Sequence, residues 1–362
     1  MSKKNLSILI LAFIIVLTGI YFYNHKYYPQ NQEELEALLE NPLISLDKID
    51  TSKITNMSRL FMGSKRKNFK GIETWDTSKV TNMEGMFKEA EFFNQDINSW
   101  DTSKVRDMSY MFSYAKNFNQ PLDKWDTSSV TDMSYMFYGA ENFNQPLDKW
   151  DTSKVTKMRA MFGGAKSFNQ PLNSWNVSSV TDMSIMFFDA KNFNQPLDKW
   201  DTSKVKDMNH MFGRAKSFNQ PLNSWNTSSV TNMSSMFNFA ESFNQPLDKW
   251  DTSKVADMSD MFWGAENFNQ PLNSWNTSSV TNMSGMFDDA ENFNQPLDKW
   301  DTSKVKKMGR MFSHAENFNQ PLNSWNTSSV MFMNDMFNGA ESFNQPLDKW
   351  DTSKVIEINS MF

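Results

Sequence analysis

Tryptophan returns at every twenty-fifth position from Trp75 to Trp350, and the apolar residues between keep step with it. In residues 126–150 the near-fixed apolar positions are Val130, Met133, Met136, Phe137, Ala140, Phe143, Leu147 and Trp150. A fixed period of this length, sustained over most of a chain, is the mark of a solenoid in which each copy buries its apolar face against the next. Residues 50–362 divide into an irregular copy (50–75, one residue longer), eleven copies of 25 (76–350) and a half copy (351–362).

Inside one copy, Val130, Met133, Met136, Phe137 and Ala140 follow a 3–4 spacing that predicts a short helix, with Thr127, Ser128 and Thr131 offering oxygens to its open amides. Phe143-Asn144-Gln145-Pro146 carries turn chemistry, because proline fixes φ and asparagine can bond its own backbone. Leu147, Trp150 and Thr152 then alternate, which predicts a short strand at the copy boundary. Val177 stands where other copies have threonine, so that position is expected to face inward. The predicted fold class is α/β: a leucine-rich-repeat-like solenoid of strand-plus-short-helix copies.

Ahead of the array the pattern changes. Lys3 and Lys4 precede an apolar stretch from Leu6 to Tyr23, which as a helix reaches about 27 Å and just spans a hydrocarbon core. Tyr21-Phe22-Tyr23 and His25-Lys26-Tyr27-Tyr28 follow as an aromatic belt. Residues 5–23 are thus expected to be one N-terminal transmembrane helix, an uncleaved signal anchor. Residues 1–30 hold the cytoplasmic tip, the anchor and a linker, and the rest lies outside the cytoplasm, at the cell surface or in the periplasm. Residues 31–49 read as a capping segment: Asn31 caps a helix to Glu40, Glu34 completes a capping box, and Leu35, Leu38 and Leu39 share a face. At the other end the chain stops at Phe362 in mid-copy, which leaves the last apolar layer open; a truncated gene, end-to-end self-association and a covering partner are the three explanations, and the near-identity of the copies favours the first.

Composition narrows the chemistry. The 362 residues include no cysteine and three histidines and carry a net charge of −6. That excludes a disulfide framework, a thiolate metal site and a cysteine nucleophile, and it argues against nucleic acid, whose binders present basic faces. His25, His210 and His314 occupy unrelated places in the pattern, and no HExxH or GxSxG is present, so neither catalysis nor a metal or cofactor is expected.

Stacked copies place equivalent residues in rows. The methionine and aromatic rows read as core, and the Asn144-Gln145 row as a structural amide ladder. The row at Asp76 runs aspartate through Asp151, then alternates asparagine with aspartate from Asn176, which spaces like charges. Lys116, Lys166, Lys191 and Lys216 share a row with Glu141, Glu241, Glu266, Glu291, Glu316 and Glu341 and are expected to form a solvated face. The row Tyr110, Tyr135, Ala160, Ile185, His210, Ser235, Asp260, Gly285, Arg310, Asp335 has no common chemistry and is expected to face solvent. The next two rows vary as freely and include Tyr114, Tyr138, Phe188, Phe239 and Trp263.

The repeat W-D-T-S-x-V-T-x-M-S-x-M-F-x-x-A-x-x-F-N-Q-P-L resembles that of BspA-like leucine-rich-repeat surface proteins of bacteria, over residues 50–362. The resemblance implies a surface or secreted protein, with adhesion to host glycoproteins or other cells among the family's roles. The expected function is therefore binding of a protein or glycoprotein through Tyr110, Tyr114, Tyr135, Tyr138, Phe188, Phe239 and Trp263 as the partner-binding surface. A structural spacer without a ligand is the alternative, and a hydrolase the remote third.

Overall fold

The computed structural model describes residues 26–362. The expected transmembrane helix at residues 5–23 lies outside them, and no helix among the described residues is long and apolar enough to cross a membrane. The chain enters through α1 (Gln32–Leu39), capped as its sequence predicts: Asn31 Oδ1 accepts the Glu34 amide at 3.0 Å and Glu34 Oε2 accepts the Gln30 amide at 2.9 Å. Leu35 is fully buried, with Leu38 and Leu39 packed beside it. Two single-turn 3-10 helices follow, Leu46–Lys48 and Ile72–Thr74.

From there the chain is a solenoid, but not one of strands and helices. Consecutive copies touch through a single parallel β-bridge each, in one line from Asn56–Asn82 to Phe332–Glu357. The bridge falls at Asp132 and its equivalents, inside the segment expected to be helical, and the strand expected around Leu147–Thr152 does not form.

The hydrogen bonds explain why. In a helix every amide would turn back four residues along its own coil. Here alternate amides reach the next copy instead: Met133 to the Lys157 carbonyl (3.1 Å), Tyr135 to Arg159 (2.8 Å), Phe137 to Met161 (2.9 Å) and Gly139 to Gly163 (2.7 Å). Between these, Met136 bonds back to Met133 and Ala140 to Phe137, closing tight turns. The third residue of each such turn is left-handed, Tyr135 at φ 57° and Gly139 at φ 68°, as a type II turn requires. Turns of three and four residues place apolar side chains inward at the spacing a helix would give. The 3–4 pattern was real; its cause is a stack of turns.

The core is continuous from Leu35 to Ala340, and all eight apolar positions of the 126–150 copy are at most 3% exposed. Phe137 and Phe143 stack at 4.0 Å within their copy, Phe137 lies 5.7 Å from Phe162 of the next, and Trp150 lies 6.4 Å from Trp175. Each burial contributes roughly 1.5–3 kcal/mol. The buried polar atoms of the tryptophan and threonine rows are matched across copies. Trp150 Nε1 donates to the Leu122 carbonyl at 3.0 Å, and Thr127 Oγ1 to the Asp151 carbonyl at 2.9 Å. Val177 occupies the threonine position at 1% exposure, inward as its sequence implied.

Candidate functional site

Three of the rows are scaffold. In the amide ladder Asn144 Oδ1 accepts the Asn169 amide (2.9 Å) and Gln170 Nε2 (3.0 Å), an arrangement that recurs from copy to copy. In the Asp76 row, Asp151 Oδ1 accepts the Ser153 amide at 2.9 Å, and Asn176 does the same for Ser178 at 3.1 Å. Either residue closes the turn, so alternation costs the backbone nothing. Serine's hydroxyl and amide hold the carboxyls of Asp101, Asp151, Asp201, Asp251 and Asp301 below the ordinary aspartate range. In the charged row, Glu141 bridges Lys116 (3.6 Å) and Lys166 (3.1 Å), and Glu266, Glu291, Glu316 and Glu341 lie exposed beyond.

The three variable rows form the remaining face, and their placement differs from the expectation. The row from Tyr110 to Asp335 is not a free solvent-facing row. Every member has positive φ, from 52° at His210 to 62° at Ile185, and Ala160, Ser235 and Gly285 are buried. What these residues share is a left-handed backbone, which tolerates varied side chains.

Along this face the seven candidate aromatics gather into two groups. Tyr110 stacks on Tyr135 at 4.6 Å, Tyr135 meets Tyr138 at 5.6 Å, and Tyr138 meets Tyr114 edge-on at 5.3 Å. Cations flank the four tyrosines, with Lys88 Nζ 5.3 Å from the Tyr110 ring and Arg159 Nε donating to Tyr135 Oη at 2.9 Å. Burial raises the Tyr110 and Tyr138 hydroxyls above the usual tyrosine range. In the second group the Arg214 guanidinium lies 5.8 Å from both Phe188 and Phe239, Phe239 is 4.7 Å from Trp263, and Arg310 lies 5.6 Å from Trp263.

Tyr114 is 42% exposed and the other six are half-buried. Glycines of the following copy make room for them. A Cβ on Gly139 would fall 2.6 Å from the Tyr114 ring, one on Gly163 2.7 Å from Tyr138, and one on Gly264 2.5 Å from Phe239. The variation between copies is therefore complementary, large against small, rather than free drift.

Beyond Trp263 the face ends in a polar constellation that the sequence reading missed. Asp288 is 1% exposed, and its Oδ2 meets Arg310 at 2.5 Å. Burial, opposed by Arg310, raises its carboxyl to about 6. Asp289 Oδ2 accepts Trp263 Nε1 at 3.1 Å, and His314 Nδ1 lies 3.6 Å from Asp289 Oδ1 and 3.9 Å from Asp288 Oδ1. His314 is thus not isolated, as its place in the pattern had suggested. The available signal was spacing: His314 follows Asp289 by 25 residues and therefore stacks on it. His210 does sit apart from any such group, beside Asn209 Oδ1 at 3.2 Å, with burial lowering its pKa.

Comparison with known proteins adds the family. No curated protein matches the chain. Among solved structures, the chain is similar to one described as "Crystal structure of TLR13-ssRNA13 complex", with 12% identity over 86% of this chain and a TM-score of 0.24. It spans about half of that chain (51%), and a score so low carries no inference about fold or ligand. A family model matches four times in overlapping succession, over residues 33–144, 120–213, 190–298 and 271–362. Together these cover residues 33–362, the whole array and all of α1 but its first residue. The chain accordingly belongs to the tandem-repeat family described as "Mycoplasma protein of unknown function, DUF285".

Proposed function

We propose that this chain is a membrane-anchored, extracytoplasmic repeat protein whose variable face binds another macromolecule, and that it acts in adhesion to glycoproteins of host or neighbouring cells. One observation supports the reading above others: Tyr110, Tyr114, Tyr135, Tyr138, Phe188, Phe239 and Trp263 share a face and are interleaved with Arg159, Arg214 and Arg310. Partly exposed rings braced by guanidinium groups are the side chains that dominate binding surfaces. The BspA-like resemblance of the repeat points the same way. Among the described residues no nucleophile, base and orienting group are brought together, and the chain is read as a binding protein. The net charge of −6 favours a protein or glycoprotein ligand over nucleic acid.

Protease shaving of intact cells, followed by a blot for the repeat region, tests the location. Loss of signal from intact cells supports surface display; protection until the envelope is opened confines the array to the periplasm and sinks the adhesin reading. Binding to immobilised glycoprotein should fall stepwise as copies are removed, because many modest contacts act together.

A spacer without a ligand is the second reading, favoured by the packing of rings over the glycines of the next copy. Substituting Phe188, Phe239 and Trp263 by serine separates the two. Adhesion requires that binding be lost while the fold survives; a spacer loses stability alone.

A further inference from the structure

We infer that Asp288, Asp289 and His314 form a binding site for a first-row divalent transition ion such as Zn²⁺, spanning two adjacent copies. Ligand atoms of the three residues lie within 4.8 Å of one another. Two separations can be set against the geometry such an ion needs: His314 Nδ1 is 3.6 Å from Asp289 Oδ1 and 3.9 Å from Asp288 Oδ1. In a tetrahedral zinc site with bonds of about 2.0–2.1 Å, neighbouring ligand atoms stand about 3.3 Å apart. The observed distances exceed that by a few tenths of an ångström, within reach of small side-chain rotations.

An independent observation points to an ion here. Asp288 Oδ1 is buried and has no hydrogen-bond partner, and it faces His314. A buried carboxylate oxygen without a partner costs roughly 1–3 kcal/mol, and an ion at this point would satisfy it. The surroundings are built in the way metal ligands are held. Each carboxylate has its other oxygen engaged, Asp288 Oδ2 by Arg310 and Asp289 Oδ2 by the Trp263 indole, so both Oδ1 atoms remain for a ligand. Ser313 Oγ lies 3.0 Å from His314 Nδ1, and its hydroxyl must turn its proton elsewhere for the Nδ1 lone pair to meet an ion. Gly339 leaves space for the imidazole, since a Cβ there would fall 2.6 Å from the His314 ring.

The donor set decides the class of ion. Two carboxylate oxygens and one imidazole nitrogen suit zinc and its neighbours better than calcium, which takes six to eight oxygens. Arg310 cancels one of the two carboxylate charges, so one net negative charge remains to meet the cation. Three protein ligands leave a fourth position for water or for a side chain of a bound partner.

The test is titration calorimetry of the chelator-treated full chain with Zn²⁺, repeated on Asp289→Asn and His314→Gln. Both side chains are about half exposed, so neither change should disturb folding, which circular dichroism checks. One equivalent should bind to the unsubstituted chain, and each variant should bind at least about tenfold more weakly, while His210→Gln binds as before. Co²⁺ added to the unsubstituted chain should give visible absorption bands of a low-coordinate site, removable by chelator. No saturable uptake, uptake equal in all variants, or a Co²⁺ spectrum matching the hydrated ion would each overturn the assignment.

Discussion

Val177 shows how far a single position is dictated by the copies around it. Elsewhere in its row a buried threonine donates to the first carbonyl of the next copy, as Thr152 Oγ1 does to Asn176 at 2.9 Å and Thr202 Oγ1 to Asn226 at 2.9 Å. Val177 is equally buried and cannot donate to Asp201. Val177→Thr should therefore raise stability by about 1 kcal/mol, because the hydroxyl meets an acceptor already in place. Thr202→Val should lower it by about 1–2 kcal/mol; equal melting temperatures for these two variants would refute the account. Gly264 is the converse case. It has φ 65° and lies under the Phe239 ring, so Gly264→Ala should destabilise by about 1–3 kcal/mol through crowding and left-handed strain. Adding Phe239→Ala should relieve the crowding part, and a denaturant double-mutant cycle measures that coupling.

At the scale of one copy, the apolar pattern was legible and the backbone path was not. Val130, Met133, Met136, Phe137 and Ala140 do face the core, as their spacing implied, and the Asn144-Gln145 pair does form a ladder. The helix assigned to the first group was wrong because helices and stacked type II turns return a side chain inward at similar intervals. The discriminating signal was present in the variable rows. Ile185 is β-branched, and the other members range from Gly285 and Asp260 to Tyr110 and Arg310, so no shared helical preference existed there; what unites them is positive φ, which no composition rule announces. The tryptophan row makes the copy-to-copy bonding testable. Trp225 Nε1 donates to the Leu197 carbonyl at 2.9 Å, in the core. Trp225→Phe keeps a ring but leaves the Leu197 carbonyl with only the Trp200 amide (3.2 Å) as donor, and should cost about 1–2 kcal/mol in chemical denaturation through the lost bond and the smaller ring. A cost near zero would show the bond to be incidental to stacking.

For the whole array, the row of alternating Asp and Asn ties stability to pH in a direction that can be worked out. In Asp101, Asp151, Asp201, Asp251 and Asp301 the serine two residues on bonds the ionised carboxylate, so the folded pKa lies below the ordinary value of 3.8. A depressed folded pKa means that the contribution is fully present above the unfolded value and is lost as pH falls through the folded one. Each site is nearly exposed and contributes little alone, but the same loss recurs along the array, and neighbouring copies are coupled. Acid should therefore lower the melting temperature from about pH 5 downward, with the loss complete only below the depressed folded pKa. The copies that carry Asn176, Asn226, Asn276 and Asn326 make the same turn with no titrating group, as Ser178 on Asn176 (3.1 Å) and Ser228 on Asn226 (3.1 Å) show. Replacing the five aspartates by asparagine should accordingly leave the fold intact near neutral pH and flatten the acid limb of the melting curve. If the five-fold variant loses stability in acid as steeply as the natural chain, the acid sensitivity arises in other carboxylates, and the row serves only to close turns.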